Sequence, residues 1–420
     1  MSSPFCGSSQ RALPYHPPPY DSPPNPPPCY SQDPARDETR LDISPQRRRR
    51  QQPTGIFTKR SGPATVVLLD QDPDIRVPIY RRHGLVRGSL IIERGASRVC
   101  EIVAKLQGRI ETTTTDSGVQ SIKVFKNTYC LWSCDPSSAE SSEFPGTVEL
   151  ACEFPATCQH DGRNEPLPPS YIVGFPGFPA LFVRCQYSLH ITITNTRRLG
   201  ILPSATFVYI PIEYNPQTVP FRGLPSVLNF HSSVKLIPEE WYQTSCLISS
   251  CCSKVAPIQC ESFIPSVRIF GLPDTIPIHL QFSGPLSSLR QLFLPTVGND
   301  SPRLPVRAFL TRKVMYAYRG KATVRLLRIG EARFPPLPPL DLNCNCKLKC
   351  ESCDVCASTF NWDGEIKCDE TVTVGGFSVG GLNVKDYISL IITPSRNSSL
   401  LGVQHEIPVR FVTESYVEPD

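Results

Sequence analysis

The chain has 420 residues, enough for two or three domains with sizeable cores. Its 43 basic and 38 acidic residues leave a net charge of +5 spread along the whole length, without the concentrated basic face that nucleic-acid binding needs. Its 45 prolines, about twice the usual share, exclude long helices from much of the chain, because an interior proline costs about 3 kcal/mol and removes a backbone donor. No stretch approaches the roughly eighteen consecutive apolar residues of a membrane-spanning helix, and the N-terminus lacks an apolar signal-peptide core. The chain therefore reads as soluble and cytoplasmic. In that setting the 18 cysteines stay reduced and the sequons at Asn299 and Asn397 go unused.

Residues 1–63 are low in large apolar side chains and rich in Pro, Ser, Gln and Arg, which predicts a disordered Pro-rich tail. Within it, Pro17-Pro18-Pro19-Tyr20 and Pro27-Pro28-Cys29-Tyr30 each spell Pro-Pro-x-Tyr. Consecutive prolines hold the backbone in polyproline II geometry before any partner arrives, and the aromatic-lined groove of a WW domain takes two prolines and a tyrosine from one side of such a helix. The candidate WW-domain-binding residues are Pro17, Pro18 and Tyr20, with Pro27, Pro28 and Tyr30; the plainer alternative is a proline-rich spacer. From Tyr20 to Tyr30 the chain spans roughly 17 Å as coil and about 31 Å as polyproline II, so two grooves of one partner could be held together. The run Arg47 to Arg50 could touch an anionic membrane surface or act as an import signal, against the simpler reading of a solvated charge run.

After Ala64 the texture changes to period two. Cys100, Ile102, Ala104, Leu106 and Ile110 alternate with polar residues, as do Leu189, Ile191 and Ile193 with His190, Thr192 and Thr194, which predicts half-buried strands. Ala322-Val324-Leu326, Val372-Val374 and Ile407-Val409-Phe411 repeat the pattern, and the best helix candidate is the short Ser287 to Leu294. Many strands without intervening helices predict an all-β protein of antiparallel sandwiches. The boundary falls near Pro238, giving one sandwich over 64–238 and a second over 239–420, with a cysteine-rich insertion near 344–368.

Several phrases resemble one family. Val86 to Glu93 followed by Ile102 to Gly108, then Leu150 to Pro155, Leu167 to Tyr171, Cys185 to Thr194 and Ile210 to Tyr214, are similar to an arrestin N domain. Leu304 to Val314, Val384 to Ile388 and Glu406 to Thr413 resemble an arrestin C domain. The resemblance covers about Ala64 to Glu414 and is closest to fungal arrestin-like proteins of the α-arrestin group. It implies two immunoglobulin-like β-sandwiches in the arrestin fold and a non-enzymatic adaptor that brings a WW-domain HECT-type ubiquitin ligase to cytoplasmic segments of membrane-protein cargo for ubiquitylation and endocytic trafficking. The alternative within this fold is a trafficking or signalling scaffold independent of ubiquitin. Family members more often carry Pro-Pro-x-Tyr after the C domain, whereas here both copies precede the N domain. A third match, Pro168-Pro169-Ser170-Tyr171, lies inside the first sandwich and reads as structural.

Gly376-Phe377-Ser378-Val379-Gly380 matches the Gly-x-Ser-x-Gly nucleophile elbow, with Asp386 and His405 following in the order of that enzyme class. An elbow needs a strand entering and a helix leaving, whereas a strand-like run follows here; glycines at a hairpin turn explain the same letters. A serine hydrolase using Ser378 is therefore the remote alternative. Cys344, Cys346, Cys350, Cys353 and Cys356, with Cys368 further on, are too compressed for two zinc knuckles roughly 15 to 20 residues apart and read as an insertion. Vicinal Cys251-Cys252 is a weak acylation candidate. Neither metal nor cofactor is expected.

Overall fold

Alternating side chains build every layer of the protein. The structure is a computed structural model that describes residues 53–93, 96–134, 144–195, 204–225, 230–293, 304–335 and 357–418. In chain order the first block supplies β1 (Gly55–Ser61), β2 (Ala64–Gln71), β3 (Ile79–Tyr80), β4 (Leu85–Ile92), β5 (Val99–Thr114) and β6 (Gly118–Ser133). It continues through β7 (Thr147–Glu153), β8 (Thr157–His160), β9 (Arg163–Pro166), β10 (Tyr171–Phe175), β11 (Leu181–Asn195) and β12 (Ser204–Tyr214). The second block opens with helix α1 (Phe230–Leu236), then β13 (Trp241–Ile248), β14 (Ile258–Pro265), β15 (Ile269–Gly271) and β16 (Thr275–Pro285). After helix α2 (Leu286–Phe293) come β17 (Val306–Tyr318), β18 (Lys321–Arg333), β19 (Ala357–Cys368), β20 (Phe377–Val379), β21 (Leu382–Ile392) and β22 (Val403–Val412). The described residues are thus nearly all β, as the period-two alternation predicts. Among the described residues no helix is long and apolar enough to cross a membrane.

The first block forms a four-stranded sheet, β1-β2-β4-β7, and a six-stranded one, β3-β12-β11-β5-β6 with β10 on β11. Every odd residue of β11 from Leu181 to Ile193 is buried, so the strand shows one apolar face to the core along most of its length. Its register pairs Leu189 with Leu106, Ile191 with Ala104 and Ile193 with Ile102. Val66, Leu68, Val86, Leu90 and Leu150 of the smaller sheet join them in one core. Each such side chain contributes about 1.5–3 kcal/mol by leaving water. Gly108 is fixed by packing, because a Cβ there would collide with the Tyr187 ring that fills its place.

In the second block one sheet, β13-β14-β16-β19-β18-β17-β21-β22-β15 with β20 on β21, curls around its own core. Ile258, Cys260, Phe282 and Trp362 meet Leu310, Ile388, Ile407 and Phe411 inside it. Helix α2, expected over Ser287 to Leu294, buries Leu286, Leu289, Leu292 and Phe293 against this core, a spacing that keeps all four on one face.

Two strands belong to both cores. β17 buries Val306, Ala308 and Leu310 in the second core, then Val314 and Tyr316 in the first. β21 does the reverse, with Leu382 and Val384 in the first core and Ile388, Leu390 and Ile392 in the second. A sequence boundary near Pro238 therefore divides the chain but not the packing.

Three stretches depart from the sequence expectation. Gly55–Ser61, assigned to the tail, pairs with β2 as an edge strand; backbone pairing supplies what its single half-buried aromatic, Phe57, does not. Ala322, Val324 and Leu326 alternate as predicted but face outward, Val324 and Leu326 being 43% and 54% exposed, while Thr323 and Ile329 take the inward positions. Period two fixes alternation and leaves its phase to the partner strands. Val372 and Val374 lie in irregular chain ahead of β20, although Val374 is buried.

Tyr316 tests the shared packing, since it is a side chain of the second block buried in the first core and its hydroxyl has no hydrogen-bond partner among the described residues. Tyr316→Ala is expected to lower unfolding stability by about 3–5 kcal/mol, while Tyr316→Phe, which removes only the orphaned hydroxyl, leaves it unchanged or raises it. Chemical denaturation of the two variants checks both signs.

Candidate functional site: the cleft between the two cores

Where β17 and β21 pass from one core to the other, their inward positions change character. Arg312 and Asp386 are direct register partners, both buried, and the guanidinium Nε donates to Oδ1 at 2.7 Å while the second nitrogen donates to Oδ2 at 3.1 Å. This fork satisfies both carboxylate oxygens in a geometry only arginine provides. Although burial alone would lower it, the carboxylate holds the Arg312 pKa above its ordinary value. The Tyr171 hydroxyl at the start of β10 lies beside the guanidinium; burial pushes its pKa up and the cation opposes that.

Around this pair the two blocks are fastened by glycines and hydroxyls. Gly380 and Gly381 both have positive φ, 54° and 80°, and form the two-residue turn between β20 and β21, which joins Val379 to Leu382; such a turn demands left-handed residues at both positions. The Gly380 amide donates to Glu165 Oε2 at 3.0 Å, and Phe377 meets Tyr171 edge-on at 5.4 Å. On the far side Thr218 and Thr413 exchange hydrogen bonds, the Thr218 amide donating to Thr413 Oγ1 at 2.8 Å and the Thr413 amide to Thr218 Oγ1 at 3.2 Å.

Between these fastenings opens a cleft of about 520 Å³. Pro166, Leu167, Pro169 and Tyr214 line it from the first block, and Val374, Phe377, Val409 and Phe411 from the second. Arg82, Lys385 and Arg410, all exposed, contribute to its lining. Among the described residues the carboxylate that lines it is Asp386, already paired with Arg312. Apolar walls with cations at the edge suit an extended or amphipathic ligand carrying negative charge. No motif announces Arg82, Lys385 and Arg410, which converge from three separate strands and turns. Arg312 and Asp386 do leave a signal, being charges at inward positions of otherwise apolar alternations.

The Pro168-Pro169-Ser170-Tyr171 phrase is part of this architecture. Both prolines are buried, the Tyr187 hydroxyl donates to the Pro168 carbonyl at 2.5 Å, and Ser170 Oγ accepts the Tyr214 amide at 2.9 Å. The Ser378, Asp386 and His405 set is not assembled. Ser378 donates to Asn383 Oδ1 at 2.6 Å, Asp386 is held by Arg312, and His405 Nε2 is paired with Thr244 Oγ1 at 3.0 Å. No helix follows Ser378; the hairpin turn does. Cys368 is buried in the second core, and among the described residues no cluster of His, Cys, Asp and Glu could hold a metal. Pro17, Pro18, Tyr20, Pro27, Pro28, Tyr30, the run Arg47 to Arg50 and the cysteines 344–356 lie outside the described residues.

Neither a scan against protein-family models nor a search of the curated proteins finds a match.

Removing one partner of the buried pair leaves an uncompensated charge, so Asp386→Leu is expected to cost about 3–5 kcal/mol in stability, whereas Arg312→Met with Asp386→Leu costs markedly less. Denaturant midpoints of the singles and the double make the comparison. A fluorophosphonate probe is expected to leave Ser378 unlabelled, because its hydroxyl is paired with Asn383 and the His405 imidazole with Thr244; a labelled Ser378 peptide would overturn that assignment.

Proposed function

We propose that the chain is an arrestin-like adaptor, two immunoglobulin-like sandwiches that hold a cytoplasmic segment of a membrane protein while the Pro-Pro-x-Tyr tail brings a WW-domain HECT-type ubiquitin ligase to it. The observation that carries the reading is the cleft, with apolar walls, the cations Arg82, Lys385 and Arg410, and, among the described residues, a single lining carboxylate that is neutralised by Arg312. Such a site favours an extended segment with acidic residues.

Proximity is the mechanism. Holding ligase and cargo on one chain raises the effective concentration of cargo lysines at the transferring cysteine of the ligase, with no chemistry from the adaptor itself. Two Pro-Pro-x-Tyr motifs on one tail strengthen capture of a ligase with several WW domains, since the second contact is intramolecular.

A synthetic peptide covering Ser9 to Asp33 is expected to bind WW domains saturably, and the Tyr20→Ala, Tyr30→Ala version is not. In the full chain the same double substitution is expected to abolish ligase binding without moving the thermal transition. Failure of every WW domain to bind would reduce the tail to a spacer and leave a scaffold independent of ubiquitin.

A further inference from the structure

Eleven cysteines fall among the described residues, all as free thiols, and their surroundings differ. Burial pushes Cys152 and Cys185 up to about 12, which keeps them protonated and inert. Cys100 and Cys134 are cross-strand neighbours through a 2.9 Å bond from the Cys134 amide to the Cys100 carbonyl, but the Cys100 thiol turns away to the Thr194 carbonyl at 3.2 Å. Cys246 and Cys260 alone among these combine direct opposition across a strand pair with thiols that act on each other as acceptor and donor.

We propose that Cys246 and Cys260 form a hydroperoxide-reactive dithiol that closes to an intrachain disulfide between β13 and β14.

Directly opposed residues of an antiparallel pair have Cα atoms about 4.5 or 5.5 Å apart, according to the pair type, and both values lie inside the roughly 4.4–6.8 Å window of a disulfide. No backbone rearrangement is therefore needed. The two thiols also have distinct roles. Cys246 is half-buried on an edge strand, whereas Cys260 is fully buried in the second core. The Cys260 sulfhydryl, donating to the Cys246 sulfur, holds Cys246 below its ordinary range against the opposing effect of burial. That contact, followed by burial, pushes Cys260 up. Cys246 is thus the sulfur a peroxide can reach, and Cys260, buried directly opposite it, is placed to resolve the product.

The chemistry balances with a hydroperoxide as the oxidant. The Cys246 thiolate attacks the terminal oxygen of the O–O bond; an S–O bond forms, the O–O bond breaks, and the departing alkoxide or hydroxide takes up a proton to leave as alcohol or water. Cys260 then attacks the sulfenic sulfur of Cys246. An S–S bond forms, the S–O bond breaks, and the hydroxyl departs as water with the Cys260 proton. Two thiols are oxidised by two electrons and one peroxide is reduced. This inference stands apart from the adaptor reading, since it uses neither the cleft nor the tail.

The test treats the reduced full-length chain with stoichiometric hydrogen peroxide, blocks remaining thiols by alkylation and maps the digest by mass spectrometry. The expected product is a Cys246–Cys260 linked peptide pair about 2 Da lighter than the two thiol peptides together. Cys260→Ala is expected to stop the reaction at the first step, with Cys246 captured by a sulfenic-acid probe, and Cys246→Ser to leave Cys260 unoxidised. The unsubstituted protein is decisive even if Cys260→Ala does not fold. A folded, peroxide-treated chain in which both cysteines remain alkylatable overturns the proposal, as does a link confined to Cys251 and Cys252.

Discussion

A charge pair buried where two hydrophobic cores meet governs the architecture. Arg312 and Asp386 occupy inward positions on β17 and β21, at the register point where each strand leaves one core for the other. An apolar pair at that point would let the two cores merge in more than one way. A bidentate guanidinium–carboxylate fork tolerates only one alignment of its strands, so it specifies register more than it adds stability. With that alignment set, Val314, Tyr316, Leu382 and Val384 arrive on the first core in phase, and the Gly380–Gly381 turn reaches Glu165.

The same constraint shapes the cleft. Because Asp386 is committed to Arg312, the described lining of the cavity holds no free carboxylate, and the exposed Arg82, Lys385 and Arg410 set its electrostatic sign. The Pro168-Pro169 phrase, which shares its pattern with the tail motifs, is instead part of the fold: both prolines are buried, Pro169 lines the cavity and Ser170 is tied to Tyr214. The Pro-Pro-x-Tyr pattern alone therefore does not make a ligand, because a proline pair with its faces covered cannot enter an aromatic groove.

Much of the fold was legible from alternation. The long strands β5 and β11 declare themselves through a strict period of two, and α2 lies within a residue of its expected span. Edges were less legible. β1 carries one half-buried aromatic and is held by backbone pairing with β2, which leaves no side-chain pattern to read. β18 shows the right period with the opposite phase, since its register with β17 sets Thr323 against the buried Tyr316 and leaves Val324, opposite Met315, on the other face. The cleft was not legible at all. Its cations come from positions distant in sequence, and only tertiary packing brings Arg82 toward Lys385 and Arg410. The inward charges at positions 312 and 386 were the one available hint.

Sharing β17 and β21 between cores also orders events during synthesis. When the ribosome has released the first 238 residues, the first core still lacks Val314, Tyr316, Val379, Leu382 and Val384. The nascent half must wait, with apolar surface open to solvent, until some 140 further residues emerge, roughly 7–30 s at ordinary elongation rates. A chain cut near the apparent domain boundary would keep that exposure permanently. Its expected fate is aggregation or chaperone retention, because that apolar surface stays open to solvent.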